Sequence, residues 1–181
     1  LWKHHVVEFY VDLLRDTVWR HLALASLQTW AGDDMSRVET VLLRAQNIES
    51  LIAFVREVKQ QDLVDKDLLN PLEKLMSAST LLSRALSWSG FFVHRLLQLL
   101  KCRAARVRKA ILMMLSHAFQ SNPVQKKMAF ILKHNLFPIV GSMAKEEARK
   151  GIVIVARVAN KLLIDFNVCI EKATNATSMV K

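Results

Sequence analysis

The chain has 181 residues, enough to bury a sizeable core as one domain or as a short array of repeats. Hydrophobic residues make up 52%, glycine and proline are scarce, and the two cysteines, Cys102 and Cys169, have no partner motif, which argues against a disulfide scaffold and for reduced thiols in a cytosolic or nuclear setting. The net charge of +10 is unevenly placed: residues 1–90 carry 10 Lys/Arg against 12 Asp/Glu and residues 91–181 carry 16 against 4, a field that favours an acidic partner for the C-terminal half.

Leu, Ala, Lys and Arg dominate, and apolar residues recur at three- and four-residue steps, so the spacing predicts an all-α chain. A first helix covers 4–15, with Val7, Tyr10, Val11 and Leu14 on one stripe. Asp16 caps a second helix over 17–31, carrying Val18, Leu22, Ala25 and Trp30, and Gly32 ends it. Ser36 and Glu39 then have capping-box spacing, in which the Ser hydroxyl accepts from the N–H of residue 39 and the Glu reaches back to that of residue 36. Asp33 and Asp34 precede this start, where negative charge meets the positive end of the helix dipole. The carboxylate-rich stretch WAGDDMSRVETVLL (30–43) thus reads as helix punctuation rather than as an acid/base or metal cluster.

Further helices are predicted at 37–45, 48–60, 67–77, 79–88, 91–102, 104–121, 124–135, 136–146 and 150–172. Asn47, Asp67, Ser79 and Asn122 are the expected caps. Pro123 falls at a first-turn position, and Pro71 and Pro138 either lie near a helix start or kink the helix that carries them. With no Gly-, Ser- or Pro-rich linker, one domain is expected over 1–172, with a frayed tail at 173–181. No apolar run approaches the ~18–20 residues of a membrane span. The start at Leu1, without a charged-then-apolar leader, predicts a soluble piece of a longer polypeptide.

A weak repeat is present. Residues 90–115 align with 135–160 at an offset of 45, pairing Phe92 with Phe137, Val107 with Ile152, Ala110 with Val155 and Met114 with Ala159. An offset of 89 pairs Val18, Leu22 and Ala25 with Val107, Ile111 and Met114, and one of 43 pairs Ile48 with Phe91 and sets 67–77 opposite 104–121. Such spacing is that of HEAT and armadillo repeats, whose paired or tripled helices stack because no unit buries its apolar face alone. A solenoid of about four degenerate units is expected, against an irregular helical bundle.

Residues for a reaction are scarce. The four glycines stand apart, so no phosphate-binding loop forms, and the six histidines make no metal pattern. Cys102 lies among Lys101, Arg103 and Arg106, but an isolated cysteine in a helical pattern is more simply a buried one. No catalytic residue, cofactor or metal is expected. The run KCRAARVRKAI (101–111) contributes Arg103, Arg106, Arg108 and Lys109, and Lys126 and Lys127 follow. These six are the candidate partner-binding residues, against a solvated helix face. No aromatic lies within 101–118 to stack on bases, so nucleic acid is a poorer fit than an acidic protein.

The stretch DTVWRHLALASLQTWAGDDMSRVETVLL (16–43) resembles a segment in the C-terminal helical-repeat region of the septation-initiation and mitotic-exit Ser/Thr kinases of fungi and their plant epsilon-type MAP kinase kinase kinase relatives. The residues that carry it are Trp19, Ala23, Leu27, Trp30, Asp33, Asp34, Arg37, Val38, Glu39, Leu42 and Leu43. NPLEKLMSASTLLSRAL (70–86) and FFVHRLLQLLKCRAARVRKAILMML (91–115) are similar too, for a coverage of about 2–165.

The resemblance implies a non-catalytic region, since the kinase domain of that family lies N-terminal to these repeats and none of its motifs occurs here. It also implies a role in bringing the kinase to the spindle pole body or division site through a GTP-bound Ras-like small GTPase or a scaffold protein. Self-association of the module is the main alternative. Binding of nucleic acid or an acidic membrane surface is a further one.

Overall fold

The computed structural model describes residues 2–178, apart from the side chains of 2–4, 65, 66, 174 and 176–178. Among the described residues lie twelve α-helices and no strand: α1 (Trp2–Leu13), α2 (Arg20–Asp33), α3 (Met35–Leu42), α4 (Ala45–Glu57), α5 (Gln60–Lys66), α6 (Leu69–Ala78), α7 (Thr80–Trp88), α8 (Gly90–Leu99), α9 (Ala105–Ser121), α10 (Val124–Lys133), α11 (Leu136–Arg149) and α12 (Val153–Ser178). The chain is all-α, as its periodicity predicts. Contacts gather α1–α9 into one compact unit and α10–α12 into a second, with the boundary between Ser121 and Asn122.

In the first unit α2 packs on α6 and α6 on α9, while α4 lies against α8 and both α7 and α8 lie against α9. Within this unit the helix closing one repeat therefore rests on the helix closing the next, from α2 to α6 to α9, which is how a solenoid hides faces that no single repeat can bury. In the second unit α10 and α11 pack on α12. Buried side chains show that the two units share one repeat. A shift of 44 lays Phe92, Leu96 and Leu100 on Leu136, Val140 and Ala144, and Ile111, Leu112, Leu115 and Ala118 on Val155, Ala156, Ala159 and Leu162.

The offset of 45 read from the sequence between these two segments is one residue too long, since it sets fully buried Phe92 against Phe137, which is 37% exposed. One residue turns a helix by about 100°, so a single-step slip exchanges core for surface. The offset of 89 fails for the same reason: Val18, Leu22 and Ala25 are exposed, and a shift of 88 instead lays buried Ala23, Leu24 and Leu27 on Ile111, Leu112 and Leu115. The expected 43 holds for α6, where Leu68, Leu69, Leu72 and Leu75 fall on Ile111, Leu112, Leu115 and Ala118.

Helix α5 was not expected. It and α6 together occupy the place of α9, and the break between them is at Asp67, whose φ of 47° and ψ of 42° are left-handed. Asp67 thus ends α5 rather than capping the following helix, a conformation an aspartate tolerates better than most residues. Arg20, buried at the start of α2, pairs with Asp62 at 2.9 Å and ties α5 to α2.

Several ends differ from expectation by one competing hydrogen bond. Gly32 stays inside α2, and Asp34 rather than Ser36 caps α3, its carboxylate accepting from the Arg37 N–H at 3.0 Å. Glu39, released from a capping box, accepts instead from the Ser79 hydroxyl. Asn47 lies buried within α4 and donates to the Val41 carbonyl at 2.8 Å. Asp16 does cap its turn, accepting from the Val18 and Trp19 N–H groups. Pro71 and Pro138 occupy the third positions of α6 and α11, where the first-turn N–H groups have no intrahelical acceptor to lose. Helix α12 runs through Ser178, past the expected start of a tail at 173, and residues 179–181 lie outside the described residues.

Ser79 performs as a cap and more. Its hydroxyl accepts from the Leu82 N–H at 2.9 Å and donates to Glu39, joining α7 to α3 from a fully buried position. Ser79→Ala is expected to cost about 1–2 kcal/mol, the upper end of a lost cap, because it also strips Glu39 of a donor. Urea unfolding of the two proteins checks this, and a loss of only a few tenths would show the cap to be dispensable.

Candidate functional site

The basic run bends around the turn between α8 and α9. Leu99 and Leu100 bury the end of α8, Cys102 is buried in the turn itself, and Lys101, Arg103 and Arg106 point to solvent. Along α9 the buried stripe passes through Val107, Ile111, Leu112 and Leu115, which leaves Arg106 and Lys109, three apart, on the outer face. The first turn of α9 holds no acidic residue. Exposed cations therefore gather at the positive end of a helix dipole with no carboxylate among them, an arrangement that costs stability and attracts anions.

Arg108 departs from the expected surface. It is buried, and its Nη1 donates to the carbonyls of Cys102 (2.7 Å) and Arg103 (2.6 Å). Its guanidinium braces the turn that presents Arg103. Lys126 and Lys127 belong to the second unit, at the start of α10, where their N–H groups bond to the Pro123 carbonyl. The structure thus gathers Arg103, Arg106 and Lys109 with Lys101 around one turn, and carries Lys126 and Lys127 on another body.

The acidic stretch builds no acid/base pair, since Asp34 caps α3 and Glu39 bonds Ser79. His117 meets Glu73 at 2.8 Å between α9 and α6, and His94 bonds Gln98 at 3.0 Å, whose amide oxygen also accepts from Arg95. Among the described residues no group of three His, Cys, Asp or Glu is placed to hold a metal ion, and no helix is long and apolar enough to cross a membrane.

Periodicity alone missed a second surface. Phe9, Tyr10, Leu13, Trp19, Leu22 and Ser26 line an open apolar groove of about 490 Å³ between α1 and α2, with Phe9, Trp19 and Leu22 each about half exposed. The signal was present around α2, which is apolar on two faces, one through Ala23, Leu24 and Leu27 and the other through Leu22 and Trp19, the residue just before the helix. Such a groove offers shape and apolar area but no converging acid, base or nucleophile.

The sequence profile described as the Neurobeachin/BDCP, DUF4704 alpha solenoid region matches residues 14–153. The chain belongs to this alpha-solenoid family. Its curated relatives include the cytokinesis protein sepH of Aspergillus terreus and that of Aspergillus niger, each 26% identical over 168 residues, which is 90% of this chain and 12% of the relative. MAP3K epsilon protein kinase 2 of Arabidopsis thaliana is 24% identical over 165 residues, 88% of this chain and again 12% of the relative. The chain thus spans about an eighth of these proteins, and the match falls in a helical solenoid rather than a kinase domain. No solved structure matches at a significant level. The resemblance to septation kinases and their plant epsilon-type relatives drawn from residues 16–43 and 70–115 holds.

Proposed function

We propose that this alpha solenoid is a non-catalytic docking module of a cell-division protein kinase and acts by engaging an acidic protein partner. The observation that carries the reading is the set of exposed cations, Lys101, Arg103, Arg106 and Lys109, around the start of α9 with no acidic residue in its first turn. A carboxylate-rich face would find charge-assisted partners there and relieve the repulsion among the cations. The partner proposed is a Ras-like small GTPase in its GTP form, or a scaffold of the spindle pole body. The place of action is then the cytoplasmic side of that body or the division site, in keeping with the cytokinesis relatives.

The double substitution Arg106→Glu with Lys109→Glu is expected to weaken capture of the GTP-locked GTPase at least about tenfold, as reversal of close interfacial charges does. Thermal unfolding should shift little, because both side chains are exposed. Equal capture of the GDP and GTP forms by the unaltered chain, or capture of neither, removes the effector reading. Capture by the scaffold alone transfers the role to it.

A further inference from the structure

Helices α1, α4 and α8 are the same helix of three successive repeats. A shift of 44 lays Val7, Val11 and Leu14 on Leu51, Val55 and Val58, all of them buried. A shift of 45 lays Asn47, Leu51, Phe54 and Val55 on Phe92, Leu96, Leu99 and Leu100, again all buried. Helix α4 lies against both of the others. An arginine closes the junction between α4 and α8. Arg95, in the second turn of α8, reaches back to the end of α4, where its Nη2 donates to the Val58 carbonyl at 2.9 Å and its Nε to that of Val55 at 3.4 Å. A cation is well placed there, at the negative end of the α4 dipole.

The junction between α1 and α4 is built differently at the same place. Under those shifts Ser50 stands where α8 has Arg95, and Leu14 stands where the end of α4 has Val58. An open groove of about 400 Å³ lies here, bordered by Leu14, Arg15, Glu49, Ser50, Phe54 and Glu57. Arg15 does not close it. Its Nε and Nη2 both donate to the Ser50 hydroxyl, at 3.3 and 3.1 Å, which ties its guanidinium to the α4 wall. Glu49 and Glu57 are exposed two turns apart on that helix, and Glu57 also meets the exposed Arg56 at 3.1 Å. Two carboxylates and one guanidinium border the groove, whereas the chain as a whole carries +10.

We propose that the groove between α1 and α4 receives an arginine side chain from a basic segment of a protein partner. The incoming guanidinium takes the place that Arg95 holds at the next junction, against the end of α1. Glu49 and Glu57 supply the opposite charge, and buried Leu14 and Phe54 supply apolar surface for the methylene stem. An arginine suits the place better than a lysine, because its planar fork can meet a carboxylate and a helix end at once. This surface is distinct from the cations at the start of α9 and uses neither Arg106 nor Lys109, so the two readings stand or fall separately.

An NMR titration of the isotope-labelled 181-residue chain with the blocked peptide acetyl-Gly-Arg-Gly-amide tests this. The peptide should shift the amide signals of Arg15, Glu49 and Ser50 saturably. The same peptide with citrulline in place of arginine keeps the shape and loses the charge, and it should leave those signals unmoved. Because the chain is strongly cationic overall, diffuse attraction of a cationic peptide does not imitate saturation at one groove. Glu49→Gln with Glu57→Gln should weaken binding about tenfold or more, since the charge that meets the guanidinium is gone. Both side chains are exposed, so thermal unfolding should move little and the loss is not one of folding. Absence of saturable shifts, an equal response to the citrulline peptide, shifts centred on other residues, or unchanged binding by the double variant overturns the proposal.

Discussion

Replacing Phe119 with Ala is expected to lower the unfolding free energy by about 3–5 kcal/mol, the range for removing a buried aromatic ring from a packed core. Phe119 is 2% exposed and lies in the last turn of α9. That helix touches α6, α7 and α8, so its buried face belongs to a part of the unit where several helices are already fixed by other contacts. They cannot all move in to fill the space, and the cost comes from the cavity as much as from lost burial. In urea the midpoint should fall with the slope unchanged. Phe91→Ala is the control, since Phe91 is 79% exposed and its loss should change stability by under about 0.5 kcal/mol. Comparable effects of the two substitutions would show that α9 is not the centre of its unit.

The same pair marks how far the fold was legible in the sequence. Three- and four-residue apolar steps reveal helices because burial needs only one stripe of each, and nearly every helix lies where those steps place it. Which residues of a stripe are innermost is a finer matter. Phe119, Phe130 and Phe137 all fall on apolar stripes, yet the first two are buried and the third is 37% exposed. Repeat register has the same sensitivity: offsets of 45 and 44 look alike in composition, and only burial separates them. Helix α5 escaped notice because QQDLVDK holds just Leu63 and Val64 as apolar residues, too few for a period. Its place becomes visible only through the repeat, where a shift of 44 pairs buried Leu63 with buried Val107.

Caps were harder to read because they are contests between neighbours. Asp34, Ser36 and Glu39 can each serve the start of α3, and the outcome turned on Ser79, forty residues away, which takes Glu39 as its acceptor. Nothing in the local sequence displays that partner. Gly32 illustrates the converse: a glycine inside a helix costs about 1 kcal/mol relative to Ala, a penalty small enough for the Asp34 cap and its neighbours to override.

The candidate site was legible as a region and not as residues. Charge counting finds the basic half, and the run 101–109 is unmistakable, but a count treats Arg103, Arg106, Arg108 and Lys109 alike. Periodicity could have divided them. Arg108 lies three, four and seven residues before Ile111, Leu112 and Leu115, on the buried stripe, whereas Arg106 and Lys109 lie off it. The apolar groove of α1 and α2 was hidden for a different reason: Trp19 and Leu22 have the spacing of core residues, and only the neighbours they lack reveal them as surface.

Arg108→Met should make that division measurable. Methionine keeps much of the apolar stem and loses the guanidinium, so the carbonyls of Cys102 and Arg103 lose the donor they share. The expected cost is about 2–3 kcal/mol, since charge-assisted bonds at a buried site are lost and their acceptors are left dry. Loosening of the turn has its own reporter. Cys102 is 3% exposed, and in a Cys169→Ser background its thiol should react slowly with a disulfide reagent in the parent and much faster in the Arg108 variant. The pairing of the two readouts decides the role. A residue that only met a partner would leave stability and thiol protection untouched while weakening binding, which is the behaviour expected of Arg106 and Lys109. Arg108 should instead lose stability and protection first, and any loss of binding should be reversed when the turn is held closed by other means, because the residue acts by setting where Arg103 points.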